Sequence, residues 1–394
     1  MPQRTPLAEW HENNRGRMVD FAGWSMPVQY SSIVSEHLGT RKGAGVFDVS
    51  HMGRVAVEGN QAAEWLDSML TRQVVDLPVC RARYTLITGV AGEEDNVQLD
   101  GAPVILDDAL VTRLADQKDG SQRFVLVVNA SNRQRVVRWL QARLPPEGVT
   151  LNDTTEDSAM IAVQGPLVFG HTAEDVFAGP LGSVFGKKVL QQLATLPNYG
   201  VLETELSGEP VLVSRTGYTG EDGVEIILGS SQALGLWKCL VEEGSAIPCG
   251  LGSRDTLRLE AAMPLYGHEL REKTDPFSAG LGFAVNIDGR EFPGAEEIRT
   301  RRSSSDRCRI GLVFESRRAA RSGDHVLVAK NGTDSICGEI TSGSFSPTCE
   351  RGIALAVVDR AIAEQECELE VLVRGVRLPA KLVSLPFYRR HRHD

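Results

Sequence analysis

Val211–Leu228 carries two apolar, β-branched runs on either side of Thr216–Gly223, a polar segment holding Gly217, Gly220 and Gly223. The pattern predicts a strand, a tight glycine-rich connection and a returning strand. Along the return, Val224, Ile226 and Leu228 fall on one face and Glu225 shares the other with Ile227, because strand side chains alternate. Both faces are then apolar, the strand is buried, and the Glu225 carboxylate needs a strong partner. Position alone leaves two open. One is Arg215 across the hairpin, as a buried ion pair. The other is a ligand with two adjacent N–H donors, which a carboxylate accepts bidentately.

Strand-like runs recur at Val46–Met52, Tyr84–Ile87, Val104–Leu114, Phe124–Val128 and Ala159–Val163. Helical spacing appears in Ile33–Ala44, in Ala62–Leu70 with Trp65, Leu66, Met69 and Leu70, and in Asn132–Leu144 with Val136, Val137, Leu140 and Leu144. Two further helices are expected, Gln232–Glu243 and Arg254–Met263, the second with Ser253 as N-cap. Met18–Tyr30 is dense in aromatic residues, and Gly23 and Pro27 exclude a long helix there. Near Thr300–Asp306, TRRSSSD, the composition turns polar, basic and serine-rich. That shift places a domain boundary, dividing residues 1–299 from 300–394. Beyond it short strands follow one another at Ile310–Phe314, His325–Lys330, Ile336–Ile340, Ile353–Val358, Leu369–Val373 and Ala380–Val383. They read as an all-β module of about 85–90 residues.

With 394 residues, 42% hydrophobic and 24% charged, the chain is a globular protein of two or three domains. A net charge of −10 argues against a general nucleic-acid or anionic-membrane binder. No apolar run reaches the length of a membrane span, and the N-terminal MPQRTPLAEWHENN has no secretory core. Seven cysteines, without a CxxC pair, suit reduced thiols in a cytosolic or matrix compartment. The eight histidines make no ligand-spaced cluster with them, so no metal site is expected.

Two other stretches carry candidate chemistry. In Val104–Val111 the adjacent Asp107 and Asp108 interrupt an apolar strand. Alternation lets only one of them face a given pocket, where burial would tune its pKa for proton transfer or for stabilising a cation. In Gly250–Tyr266, Arg254 and Arg258 lie one helical turn apart. Asp255 and Glu260 could neutralise them, or an arginine at a pocket mouth could take an anionic ligand tail. Ser50 and His51 look like a nucleophile–base pair only superficially, since strand neighbours point apart and no G-x-S-x-G elbow exists. Gly217–Gly223 lacks the Gly-Lys-Ser/Thr of a phosphate loop.

The combined motifs go further. TPLAEWH (5–11), MVDFAGWSMPVQY (18–30), GVFDVSHMG (45–53), ILDDALV (105–111) and LVVNASN (126–132) are followed by VQGP (163–166) and SRTGYTGEDGVEI (214–226). CGLGSRDTLRLEA (249–261), MPLYGHEL (263–270), ITSGSFSPT (340–348) and LPFY (385–388) complete the order. In this sequence they resemble the aminomethyltransferases, the T-proteins of the glycine cleavage system, over nearly the whole chain. The resemblance implies an α+β fold, a cloverleaf of two interleaved α/β folate-binding domains and a C-terminal β-barrel or jelly roll. It implies transfer of a one-carbon unit from the aminomethyl-loaded lipoyl arm of H-protein to tetrahydrofolate, releasing ammonia, with no metal. By the same resemblance, Asp108 lies beside the reactive nitrogens of the folate as the catalytic acid–base group. Glu225 pairs with the pterin N–H groups, and Tyr84, Asn129, Tyr218, Arg254 and Met52 line the site. Tyr388, Arg389, Arg390 and Arg392 are expected near its entrance.

Two departures stand out. Where the family has two glycines before its acidic strand, this chain has Gly101-Ala102-Pro103 after an inserted loop, GEEDNVQLD (92–100). The tail YRRHRHD is basic in an acidic protein and would steer an acidic H-protein. A folate-dependent demethylase of a small methylated substrate is the alternative within the fold. A maturation factor of iron–sulfur proteins is disfavoured, because Leu265-Tyr266-Gly267-His268 stands where such relatives carry Lys-Gly-Cys. The compartment expected is the mitochondrial matrix for a eukaryotic source and the cytoplasm for a bacterial one, with the inserted loop leaning towards the former.

Overall fold

The computed structural model describes residues 1–90, 103–170, 177–330, 333–365 and 368–390. The inserted loop 92–100, the residues Gly101 and Ala102, and Arg392 lie outside them. Met1–Met69, Gln73–Thr85 and Asp107–Asp255 form one compact unit; Leu70–Arg72, Leu86–Leu106 and Thr256–Asp394 form the other.

The first unit is built on a six-stranded sheet in the order Val201–Leu206, Glu209–Ser214, Gly223–Gly229, Ser158–Gln164, Gly45–Asp48, Ile247–Cys249. Its two central strands are buried almost end to end. Ile161 and Val163 on one of them share a core with Val224, Ile226 and Leu228 on the other. Leu190, Leu193, Leu236 and Trp237 from the helices Lys187–Thr195 and Ala233–Lys238 join the same core. A five-stranded sheet runs Arg81–Val90, Pro103–Arg113, Gln122–Val128, Gly53–Gly59, Thr150–Asp153. Residues 86–90 and 103–106 of its first two strands count with the second unit. The aromatic stretch Met18–Tyr30 forms a hairpin, Met18–Phe21 with Trp24–Pro27, turning through Ala22 and Gly23 at positive φ.

The second unit contains a closed barrel in the order Arg307–Phe314, Arg351–Asp359, Thr333–Ser346, His325–Lys330, Leu369–Val373, Val376–Val383. Every neighbouring pair is antiparallel, and Leu312, Ile340, Ala354, Ala356 and Val371 fill its interior. The mixed α/β architecture with a C-terminal barrel follows the expectation. The serine-rich stretch before the barrel is largely the last part of a helix, Ala295–Ser304, which runs through positions 299 and 300.

Two local expectations change. The strand expected over Val46–Met52 stops at Asp48, because Asp48 Oδ1 accepts the Ser50 N–H at 2.9 Å and turns the chain out of the ladder. Ser50 and His51 are therefore turn residues. The helix expected from Arg254 begins at Leu251 and ends at Glu260. Ser253 sits inside its first turn rather than capping it. Glu36, from the helix Ile33–Lys42, does the capping instead: its Oε2 accepts Gly250 N at 2.9 Å and Ser253 Oγ at 3.3 Å, and a carboxylate there also suits the positive helix terminus.

Candidate active site

Asp107 and Asp108 occupy the strand Pro103–Arg113, whose neighbour Gln122–Val128 ends one residue before Asn129. Past that end, the Asn129 amide is not confined to one face. Its Nδ2 donates to Asp107 Oδ1 and to Asp108 Oδ1, both at 2.8 Å. Alternation thus does not separate the two acids as the strand pattern suggests. Asp107 is sealed, with no accessible surface, and takes further bonds from Asn129 N at 2.8 Å and Asn132 Nδ2 at 2.7 Å. Asn132 heads the helix Arg133–Gln141 without capping it through its side chain, since that amide is turned to Asp107. Asp108 keeps some accessible surface and accepts the Tyr84 hydroxyl at 2.9 Å. Burial raises both carboxyls, and the Asp108 charge raises Asp107 further. The Tyr84 and Asn129 bonds offset part of the rise at Asp108, because donors favour the charged form.

Glu225 is central in the six-stranded sheet, opposite Ser214 on one side and Ala162 on the other. It is 5% exposed. Thr216 Oγ1 donates to its Oε2 at 2.6 Å, and its other oxygen accepts no hydrogen bond among the described residues. Arg215 is not its partner. That guanidinium lies beyond the last ladder pair, ion-paired to Asp222 and donating to the carbonyls of Leu193 and Ala194. The loop behind Glu225 is held by Gln164, which donates to Thr216 O at 3.1 Å and accepts Thr219 Oγ1 at 2.9 Å. A Cβ at Gly217 would run into the Gln164 amide, and Gly223 sits at φ +156° against Val163 O. Both positions need glycine.

Arg254 is carried by the first turn that Glu36 anchors. Its guanidinium carbon lies 4.9 Å from the centroid of the Tyr218 ring, a cation–π contact. Its Nη1 is buried without a hydrogen-bond partner. Burial lowers its pKa, while the Glu225 charge and Tyr218 oppose that shift. Tyr84 in turn feels Tyr218 as well as Asp108. Contact or electrostatic influence therefore links Asp108, Tyr84, Tyr218, Arg254 and Glu225 in one polar neighbourhood, with an acid at each end. Met52 lies in the turn after Asp48, and its carbonyl accepts from Arg54 at 2.5 Å.

In the other unit, Arg258 ion-pairs with Glu269 at 2.8 Å. Glu260 accepts Ser346 Oγ at 2.5 Å and Thr348 Oγ1 at 2.9 Å. Tyr388 N donates to Glu260 O at 2.9 Å, and Arg389 is exposed. A cavity of about 490 Å³ opens in this unit beside His268, Arg271, Lys273, Arg301 and Arg307. None of the candidate site residues lines it. Among the described residues, no group of three or more His, Cys, Asp or Glu could hold a metal ion.

Asn132, Thr216 and Glu36 hold the site together yet were not singled out by the sequence. Asn132 and Thr216 lay inside the quoted motifs, where a local reading makes them cap and turn residues. Glu36 had no local signal at all.

Residues 7–289 match the family model of the GCVT N-terminal domain, and residues 307–389 that of the glycine cleavage T-protein C-terminal barrel domain. The chain is 40% identical over 396 residues to an aminomethyltransferase of Symbiobacterium thermophilum, covering 98% of this chain and 97% of that one. It is 41% identical over 394 residues to one of Rubrobacter xylanophilus, covering 100% and 96%. The crystal structure of glycine cleavage system aminomethyltransferase T from Bartonella henselae matches with a TM-score of 0.83 at 31% identity, covering 98% of each chain.

Proposed function

The chain belongs to the aminomethyltransferase family, the T-proteins of glycine cleavage, and on that premise we propose how its residues carry the transfer. It is an enzyme of the transferase class. The one-carbon unit comes from the S-aminomethyl-dihydrolipoyl arm of H-protein and goes to tetrahydrofolate. The products are 5,10-methylenetetrahydrofolate, ammonia and dihydrolipoyl H-protein.

The observation that carries this reading is the polar set with an accessible buried acid at one end and a half-satisfied one at the other. Glu225 has an oxygen free to accept and Arg254 Nη1 a proton free to donate. Together they offer acceptors beside a donor, the complement of a pterin edge whose amino and ring N–H groups adjoin a carbonyl. Tyr218, Tyr84, Asn129 and Met52 complete the binding set.

Asp108 is the catalytic residue. In the transfer the C–S and C–NH₂ bonds of the donor break, and two new C–N bonds form to N5 and N10 of the folate. The two protons leaving those nitrogens end on ammonia and on the dihydrolipoyl sulfur. A carboxylate of raised pKa accepts the N10 proton and passes it on, and its charge stabilises the cationic carbon as ammonia departs. Tyr84 and Asn129 fix its orientation and, by bonding to its charged form, offset part of the rise that burial causes.

The same proposal includes the division at residues 299 and 300, which the two matched family segments support. Lipoylated H-protein is the partner. The bacterial sources of the relatives favour the cytoplasm over a mitochondrial matrix. Formation of 5,10-methylenetetrahydrofolate from tetrahydrofolate and aminomethyl-loaded H-protein tests the reading, with Asp108→Ala as control. Turnover that collapses in the variant while folate still binds is the expected result. A wild type that ignores H-protein but demethylates a small free donor overturns it.

A further inference from the structure

The turn after Asp48 presents a histidine that the proposed transfer does not use. His51 is 3% exposed, and its Nδ1 is buried with no hydrogen-bond partner. Buried polar atoms are nearly always paired in a folded protein, so an orphaned ring nitrogen marks a place where something else bonds. Arg254 Nη1 is a second such atom, on a guanidinium close enough for its charge to act on the imidazole. The two orphans belong to one neighbourhood of the first unit.

The backbone that carries the ring is pinned on both sides. Asp48 accepts the Ser50 N–H, and Ser50 Oγ both donates to Met160 O at 3.3 Å and accepts Met160 N at 3.1 Å. From the other side, Arg54 Nη1 donates to Ser50 O at 3.1 Å and to Met52 O at 2.5 Å, with Nε on Ser158 Oγ at 2.8 Å. The Phe21 ring closes edge-on over His51 at 5.5 Å between centroids and 86° between planes.

Its charge state narrows the chemistry. Burial first, then the cations Arg254 and Arg54, push His51 down to about 3, with Asp48 opposing. At neutral pH the imidazole therefore carries one donor and one acceptor and no charge. An anionic group would be served better by a second cation. A donor–acceptor pair beside a guanidinium suits an uncharged heterocycle whose ring N–H groups, ring nitrogens and carbonyl alternate.

We propose that His51 is a further binding residue for tetrahydrofolate, hydrogen-bonding its pterin ring through the imidazole beside Arg254. The inference rests on the folate reading above and assigns a role to a residue outside the set it names.

Calorimetric titration of the full-length protein with tetrahydrofolate, and separately with 6-methyltetrahydropterin, tests it. His51→Leu is expected to weaken both ligands about 10–100-fold, the scale of a lost buried hydrogen bond, with an unfolding midpoint near that of the wild type. His51→Asn, whose amide supplies a donor and an acceptor close to the ring nitrogen, recovers most of the affinity. Should His51→Leu fail to fold, His51→Phe fills the space against Phe21 without nitrogen and carries the same expectation. Wild-type affinity in either apolar variant overturns the assignment and leaves the folate reading intact. Equal weakening in His51→Asn and the apolar variants also overturns it, because shape rather than hydrogen bonding would then matter. A wild type that binds neither ligand sinks the folate reading, and this inference with it.

Discussion

Asp48 and Glu225 flank the same central strand, Asp48 opposite Ile161 and Glu225 opposite Ala162, yet they are partnered in opposite ways. Asp48 accepts Thr5 Oγ1 at 2.7 Å, the His11 Nε2 contact at 2.9 Å and Ser50 N at 2.9 Å. His11 is itself joined to the Tyr30 hydroxyl at 2.8 Å through Nδ1. These bonds hold the Asp48 carboxyl at about 2 against the burial that would raise it. Glu225 has one hydroxyl. A buried acid with its partners complete is a structural tie, and one with bonding capacity left over is free to take the role proposed for Glu225. Asp108 stands with Glu225, since it is bonded but still accessible.

The sharpest way to break this contrast is at Asp108. Asp108→Ala should lower turnover about 10²–10⁴-fold, the usual yield of a positioned acid–base group, while the thermal midpoint barely moves. A variant that instead unfolds would place Asp108 with the ties. Asp48→Asn should behave the other way, losing about 3–5 kcal/mol of stability, as removal of one partner from a buried pair does. What remains folded should bind folate normally. Its pH dependence has a definite sign. The folded value is depressed from 3.8 to about 2, so the stabilisation is present above about 4 and is lost as pH falls towards 2. Acid titration of stability in wild type and variant reads this window directly. Glu225→Gln should weaken tetrahydrofolate roughly 10–100-fold by the loss of a charged acceptor, with stability unchanged or improved. Loss of stability with affinity kept would erase the contrast. Tyr84→Phe is the mildest change. It removes a bond that lowers Asp108, so the acid limb of the pH–rate profile should move to higher pH by less than about one unit, the worth of a single hydrogen bond.

What could be read from the sequence follows the same line. Period-two alternation put Glu225 in a buried strand and implied that its carboxylate needs a strong partner, Arg215 or a ligand. The hairpin, the all-β character of the C-terminal module and the acidic strand were legible for the same reason, since strand patterns are local, whereas the barrel came from the family resemblance. Arg215 could not be excluded in that way, because its rejection depends on where the ladder ends. The separation expected between Asp107 and Asp108 failed at a side chain beyond a strand end, where the pleat no longer dictates direction. Glu36 and the Asp48–His11–Tyr30 cluster were out of reach because their partners lie far away in sequence. Motif matching found the residues with spare capacity, and only the folded chain shows which acids are already satisfied.

Glu36 accepts from Tyr30 N and Ser31 N at 2.7 and 3.0 Å as well as from Gly250 N and Ser253 Oγ, and the last pair lies more than two hundred residues downstream. During synthesis that carboxylate is made early and its capping partner late, an interval of roughly 10–40 s at the usual pace of translation. Until then a buried Glu36 would have donors for one oxygen only, so the N-terminal segment has reason to remain open. The arginine-bearing helix and the first strands thus settle together, and a chain interrupted before Gly250 has no means of finishing either.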